Sequence, residues 1–145
     1  MTLPFDPAIV TPADIGERRA TLEMSHEDAI EHVREVFTEV GFGVPVEFSP
    51  SELLNEKIDA DRDPVYVLGA CNPHMADRAL DEAMEISGLF ACNVAIWEEE
   101  PGVQHVYHVS IMKIARLIGM APDNETWRGI LRDTGELVEQ AWDRL

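Results

Sequence analysis

The stretch that most constrains the fold is Val65-Tyr66-Val67-Leu68-Gly69-Ala70-Cys71-Asn72-Pro73. Its first seven residues carry no charge and read as a buried strand. Asn72-Pro73 follows at once, supplying a helix cap and a first helical residue with φ already fixed. The chain must therefore pass from sheet to helix with no loop between. The triplet that ends this strand, Ala70-Cys71-Asn72, returns as Ala91-Cys92-Asn93. Both cysteines of the chain sit in equivalent words, and the rest of the chain reads as a small α+β core that holds the two words.

The flanking segments are legible from spacing and punctuation. Met1 to Asp14 carries three prolines and little periodicity, and is expected to be an arm over the surface, with one domain over 15–145. Gly16 to Met24 reads as a first strand with Ala20, Leu22 and Met24 on one face. Ser25 caps a helix whose apolar stripe is Ala29, Ile30, Val33, Val36, Phe37 and Val40, stopped by Gly41. Val44, Val46 and Phe48 alternate in a second strand, and Pro45, which lacks an N–H, puts it at an edge. Ser49-Pro50-Ser51-Glu52 opens a short helix predicted to turn Leu53, Leu54 and Ile58 inward. After the opening strand, a helix carries Ala76, Ala79, Leu80, Ala83 and Met84 to the core, ended by Ser87-Gly88. Leu89 to Trp97 is a nearly continuous apolar run and reads as a central strand. Glu98 to Gly102 is a predicted turn with a solvated carboxylate tip, and Val103 to Val109 returns as the hairpin partner. Ser110 caps a helix to about Ile118. A last helix over 125–145 buries Trp127, Ile130, Leu131, Leu137, Val138, Ala141, Trp142 and Leu145. The order β-α-β-α-β-α-β-β-α-α lacks a strict βαβ repeat, so the expected fold is α+β: an antiparallel or mixed sheet with helices packed on one face.

Charge narrows the partners. Asp and Glu number 28 against 11 Lys and Arg, a net charge of −17, and the only lysines are Lys57 and Lys113. Such a surface repels phosphate backbones and anionic lipid, so neither nucleic acid nor membrane is an expected partner. An acidic, lysine-poor surface suits a salt-filled cytoplasm, where screening shortens the repulsion to about 3 Å at 1 M salt. The expected setting is a halophile's cytoplasm, since Met1 to Asp6 shows no secretory signal and no apolar run approaches the roughly 20 residues that span a bilayer. Thiols there stay reduced, so a Cys71–Cys92 disulfide is disfavoured.

The candidate chemistry gathers at the two words. Cys71 lies at a strand end and a helix start, where free N–H groups and the helix dipole favour a thiolate. It is open to three uses: packing, ligation, or reaction as a thiol. Asn72 and Asn93 either bond local backbone or converge on a polar ligand. Cys71, Asn72, Cys92 and Asn93 are therefore the candidate ligand-binding set. Cys71 and His74 have a Cys-x2-His spacing, and with Cys92 form a candidate, incomplete metal set. His105 and His108 are three apart on a strand, face opposite ways, and are poor joint ligands. His26 and His32 read as solvent-facing. There is no phosphate loop, no Gly-x-Ser-x-Gly and no His-Glu-x-x-His, so no catalytic residue and no cofactor is named.

Several of these words together resemble the domain of unknown function 302 family. They are Gly41-Phe42-Gly43-Val44, Leu54-Asn55-Glu56-Lys57, Leu68-Gly69-Ala70-Cys71-Asn72-Pro73 and Gly88-Leu89-Phe90-Ala91-Cys92-Asn93-Val94, within about Leu22 to Met120. The chain departs from the family pattern at Ala91, where proline is typical, and at Ser110-Ile111, where Asp-Pro is frequent. The resemblance implies a compact α+β domain with an antiparallel sheet, helices on one face and frequent pairing as a homodimer. It singles out Cys71, Asn72, Cys92 and Asn93 without giving them a role. Three functions follow: a binding module for a metal or small polar ligand, a thiol-based redox protein or enzyme using Cys71, and a non-catalytic homodimerising domain. The polarity of the paired words favours the first.

Overall fold

In the computed structural model, which describes residues 2–145, Asn72 alone separates the strand Val65–Cys71 from the helix Pro73–Glu82. The full order is β1 (Arg18–Glu23), α1 (His26–Glu39), β2 (Gly43–Phe48), α2 (Pro50–Ile58), β3 (Val65–Cys71), α3 (Pro73–Glu82), β4 (Cys92–Glu100), β5 (Val103–His108), α4 (Ile111–Leu117) and α5 (Glu125–Trp142). Three short 3-10 helices, Pro7–Ile9, Pro12–Ile15 and Met84–Leu89, complete it. The expected order of elements is the observed one.

The strands form one open sheet in the order β1-β5-β4-β3-β2, and every neighbouring pair is antiparallel. β4 is central as expected, but it starts at Cys92 and not at Leu89, which ends a 3-10 helix; β2 lies at an edge, where the missing N–H of Pro45 leaves no partner short. The β2–β3 register shifts between Gly43 and Val46, around that proline. Alternation then divides the sheet. Leu22, Leu68, Ala70, Val94, Ile96 and Val106 all face the helices and are buried with Val33, Phe37 and Ala141. A second cluster, built from Ala79, Ile86, Met112, Ala115, Trp127 and Ile130, packs α3, α4 and α5 together beyond the end of the sheet.

Helix boundaries follow the caps. Ser25, Ser49, Asn72, Ser110 and Asn124 each accept a backbone N–H from the first turn of the helix they open. Gly41 takes φ 109°, the left-handed turn that ends α1. Gly69 has another reason to lack a side chain. A Cβ there would stand 2.5 Å from Val46 Cγ2 and 3.0 Å from the Val46 carbonyl oxygen across the β2–β3 pair.

Five expectations are corrected. Leu53, Leu54 and Ile58 do not turn inward: α2 buries only Ser51, and Ile58 is 69% exposed. Ser51 Oγ bonds both the N–H and the carbonyl of Val65, so a polar contact docks this helix. α3 ends at Glu82, five residues before Ser87, and Met84 is exposed on the 3-10 helix that follows. Glu98 to Glu100 belong to β4 and only Pro101-Gly102 turns; Glu98 Oε1 accepts from Gly102 N–H and Gln104 Nε2. His26 and His32 are both half-buried and not solvent-facing, and His26 Nδ1 lies 2.8 Å from Gln104 Oε1. The N-terminal arm is less irregular than its prolines suggest, since two of its segments wind into 3-10 helices.

Candidate functional site

The two Cys-Asn words meet where β3 ends and β4 begins. Ala70 stands opposite Cys92, so Cys71 is the next residue along, at the strand's last position. Both thiols are free. Burial pushes the Cys92 thiol from near 9 up to about 12, and a negative charge on Cys71 would push it the same way. Cys92 is therefore a protonated, weakly nucleophilic thiol at neutral pH. The Phe90–Ala91 peptide bond just before it is cis.

Cys71, Asn72 and Cys92 share the wall of a cavity of about 20 Å³ with Ala91. Cys92 also lines a second cavity of about 70 Å³, bordered by Arg18, His108, Ser110, Lys113 and Thr134. Phe42, Met112 and Thr134 border both, so the two lie side by side at the junction of the sheet core and the three-helix cluster.

The asparagines divide. Asn72 spends its carboxamide on backbone: Oδ1 accepts from Met75 N–H at 3.1 Å, and Nδ2 donates to Gly41 O at 2.9 Å. It ties the end of α1 to the start of α3. Asn93 faces the uncovered side of the sheet and is exposed. Its contribution to the interior is its carbonyl, which accepts a hydrogen bond from His108 Nδ1 at 3.0 Å. His74 is exposed on α3, while Cys92 points toward the helices. Cys71, His74 and Cys92 thus do not gather, and among the described residues no three His, Cys, Asp or Glu side chains are placed to hold a metal ion.

His108 is the residue that spacing did not single out. It ends β5, pairs across the sheet with Arg18 and Val94, and is 2% exposed. A carbonyl can only accept, so the bond to Asn93 puts the ring proton on Nδ1 and leaves a lone pair on Nε2. Burial holds the imidazole below its ordinary basicity, with Arg18 acting in the same sense, so the ring is neutral at pH 7. Among the described residues no buried side-chain nitrogen or oxygen lacks a partner. Among the described residues Nε2 has no hydrogen-bond partner and so is not fully enclosed, and His108 lines the larger cavity. The signal for this was in the sequence: Gln104, Val106 and His108 share a face at period two, and Val106 is core. Thr134 was equally readable, four residues from both Ile130 and Val138. Arg18 and Lys113 carried no sequence signal.

This geometry has clear relatives. Residues 18–145 match the family described as "Domain of unknown function DUF302". The chain belongs to the DUF302 family. The match extends past the expected Leu22 to Met120 and takes in α5, which supplies Thr134 to the site. A crystal structure described as an uncharacterized conserved protein DUF302 from Bacillus stearothermophilus superposes with a TM-score of 0.76 at 23% identity, covering 88% of this chain and 96% of that one. At that identity the likeness shows the DUF302 fold alone. No curated protein matches the chain. No helix among the described residues is long and apolar enough to cross a membrane.

Proposed function

We propose that the chain is a binding domain for a small polar ligand, held in the paired cavities around Cys92. The observation that carries this reading is His108. A buried imidazole on a cavity wall, with one nitrogen committed to backbone and the other not fully enclosed, is a poor packing residue and a good ligand contact. Cys71, Asn72 and Cys92 form the wall on the sheet side, and Thr134 faces them from α5. The Cys-Asn words then act as a strand-end frame: Asn72 fixes the helix start, and the backbone of Asn93 fixes the ring of His108.

A panel of small carboxylates, amides, alcohols, amines and inorganic oxyanions tests it, followed by amide chemical shifts of the labelled protein. Saturable shifts at Cys92, His108 and Thr134, lost in Thr134→Leu, are the expected result. Thr134→Leu adds bulk at a helical position where leucine is favoured, so it should fill the cavity at little cost in stability. A folded Thr134→Leu protein that binds as well as the parent, or a panel without any shift at these residues, overturns the reading.

A second reading has its own observation. On the uncovered side of the sheet, Val46 is 61% and Phe48 53% exposed beside the half-buried Val67, Trp97 and Tyr107. A contiguous apolar face of this kind suits a second copy of the chain. Sedimentation equilibrium decides it: a dimer that dissociates in Phe48→Lys supports this reading, and a monomer at all concentrations ends it.

A further inference from the structure

The wall of the larger cavity is out of character for this molecule. Of 145 residues, 28 are acidic and 11 basic, yet the lining contains Arg18 and Lys113 and no Asp or Glu. Neither cation forms a salt bridge among the described residues, although most of the other arginines do. Lys113 Nζ donates to the Ala13 carbonyl at 3.1 Å, and Asp14 is the acid that feels its charge, its own carboxyl held by Thr11. Arg18 is the cross-strand neighbour of His108 on the inner face, where directly opposed Cβ atoms lie about 5 Å apart. Arg18, without an ion-pair partner, and the lone-pair nitrogen of His108 thus belong to one wall, which the Lys113 side chain also lines while its ammonium sits at the Ala13 carbonyl.

We propose that this cavity takes a compact oxyanion that carries its own hydroxyl, such as a small hydroxycarboxylate or a hydrogen-oxyanion. This deepens the binding reading above and rests on it. Arg18 supplies charge-assisted donors to the anionic oxygens, and Lys113, bonded to Ala13, adds its positive field from the rim. His108 Nε2, an acceptor while Nδ1 donates to Asn93, accepts from the ligand hydroxyl. A simple anion would leave that acceptor unmatched, and a neutral alcohol would leave Arg18 unmatched. Size agrees: a cavity of about 150 Å³ encloses benzene, so the ≈70 Å³ here encloses about three heavy atoms, with the remainder in the mouth.

The test titrates the full-length, isotope-labelled protein with glycolate, inorganic phosphate, acetate and glycolamide in potassium fluoride, whose small hydrated anion competes least. The readouts are backbone amides around the cavity and the His108 ring nitrogens. Glycolate or phosphate is expected to bind saturably and to shift Nε2 as its lone pair accepts a hydrogen bond. Acetate, lacking the hydroxyl, should bind about tenfold more weakly, the factor that one hydrogen bond carries. Arg18→Gln should weaken the anions by about tenfold or more, Lys113→Gln should weaken them less, and both should leave any weak glycolamide binding unchanged. Glycolamide binding as tightly as glycolate overturns the anion class while the broader binding reading stands. Acetate binding as tightly as glycolate, with no Nε2 shift, overturns the hydroxyl. If neither glycolate nor phosphate perturbs the cavity, the proposal fails outright, and the Thr134→Leu comparison judges the broader reading by itself.

Discussion

His108 and Cys92 share a wall but differ in what burial does to them. For His108, burial disfavours the charged form, so the folded state holds protons less readily than the unfolded chain. Its contribution to stability is complete above the ordinary histidine value of about 6.5 and is lost as pH falls toward its lower folded value. Comparing wild type with His108→Gln by denaturant unfolding across that acid limb isolates this from the carboxylates, since only the difference between the two matters. The difference should shrink as pH drops below about 6.5, and a constant difference would mean that the ring is not held neutral. For Cys92, a rise from near 9 to about 12 cuts the thiolate fraction at neutral pH by about a thousandfold. Thiol titration of the native protein should show Cys71, which also borders an open groove beside Gly43 and Pro45, reacting first and Cys92 lagging by orders of magnitude. Denaturation should bring both to one rate. A fast native Cys92 would contradict its burial.

Elements were readable from sequence where a local signal and a tertiary demand agreed. The run from Val65 to Pro73 encodes its own strand, cap and helix, and Pro45 encodes its own edge. α2 departs from expectation because its apolar residues have the right spacing for a buried stripe, while the helix is docked through Ser51 and the serine cap instead. Spacing says which residues share a face, not which face meets the protein. The same limit hid the site. Arg18 and Lys113 reach the cavity from β1 and α4 through sheet pairing and helix packing, which no local pattern records. Two substitutions separate docked from undocked positions. Gly69→Ala places a Cβ against the Val46 side chain and carbonyl, and should destabilise by about 1–3 kcal/mol in urea unfolding. Val46→Ala in the same protein should recover part of that loss by removing Cγ2. Ile58→Ser, on the exposed side of α2, should stay within about 0.5 kcal/mol of wild type.

At the scale of the whole molecule the charge dominates. A net charge of −17 on 145 residues means that folding gathers like charges that the unfolded chain keeps apart. The ion pairs offset little of this, because they lie largely on exposed side chains and such pairs contribute about 0–1 kcal/mol each. The core clusters beneath them are apolar and respond to salt far less, apart from strengthening in strongly hydrated salts. Raising KCl from about 0.1 M to about 2 M shortens the Debye length from about 10 Å to below 3 Å, removing most of the repulsion while leaving the core in place. The thermal midpoint should therefore climb steeply over the first few tenths molar and then flatten, and a cation of the same charge but different size, such as Na⁺, should act nearly as well as K⁺. A midpoint that does not rise with salt would show that repulsion is not the dominant strain on this fold. A rise that continues unabated past about 1 M would implicate apolar burial rather than screening, since screening is nearly exhausted by then.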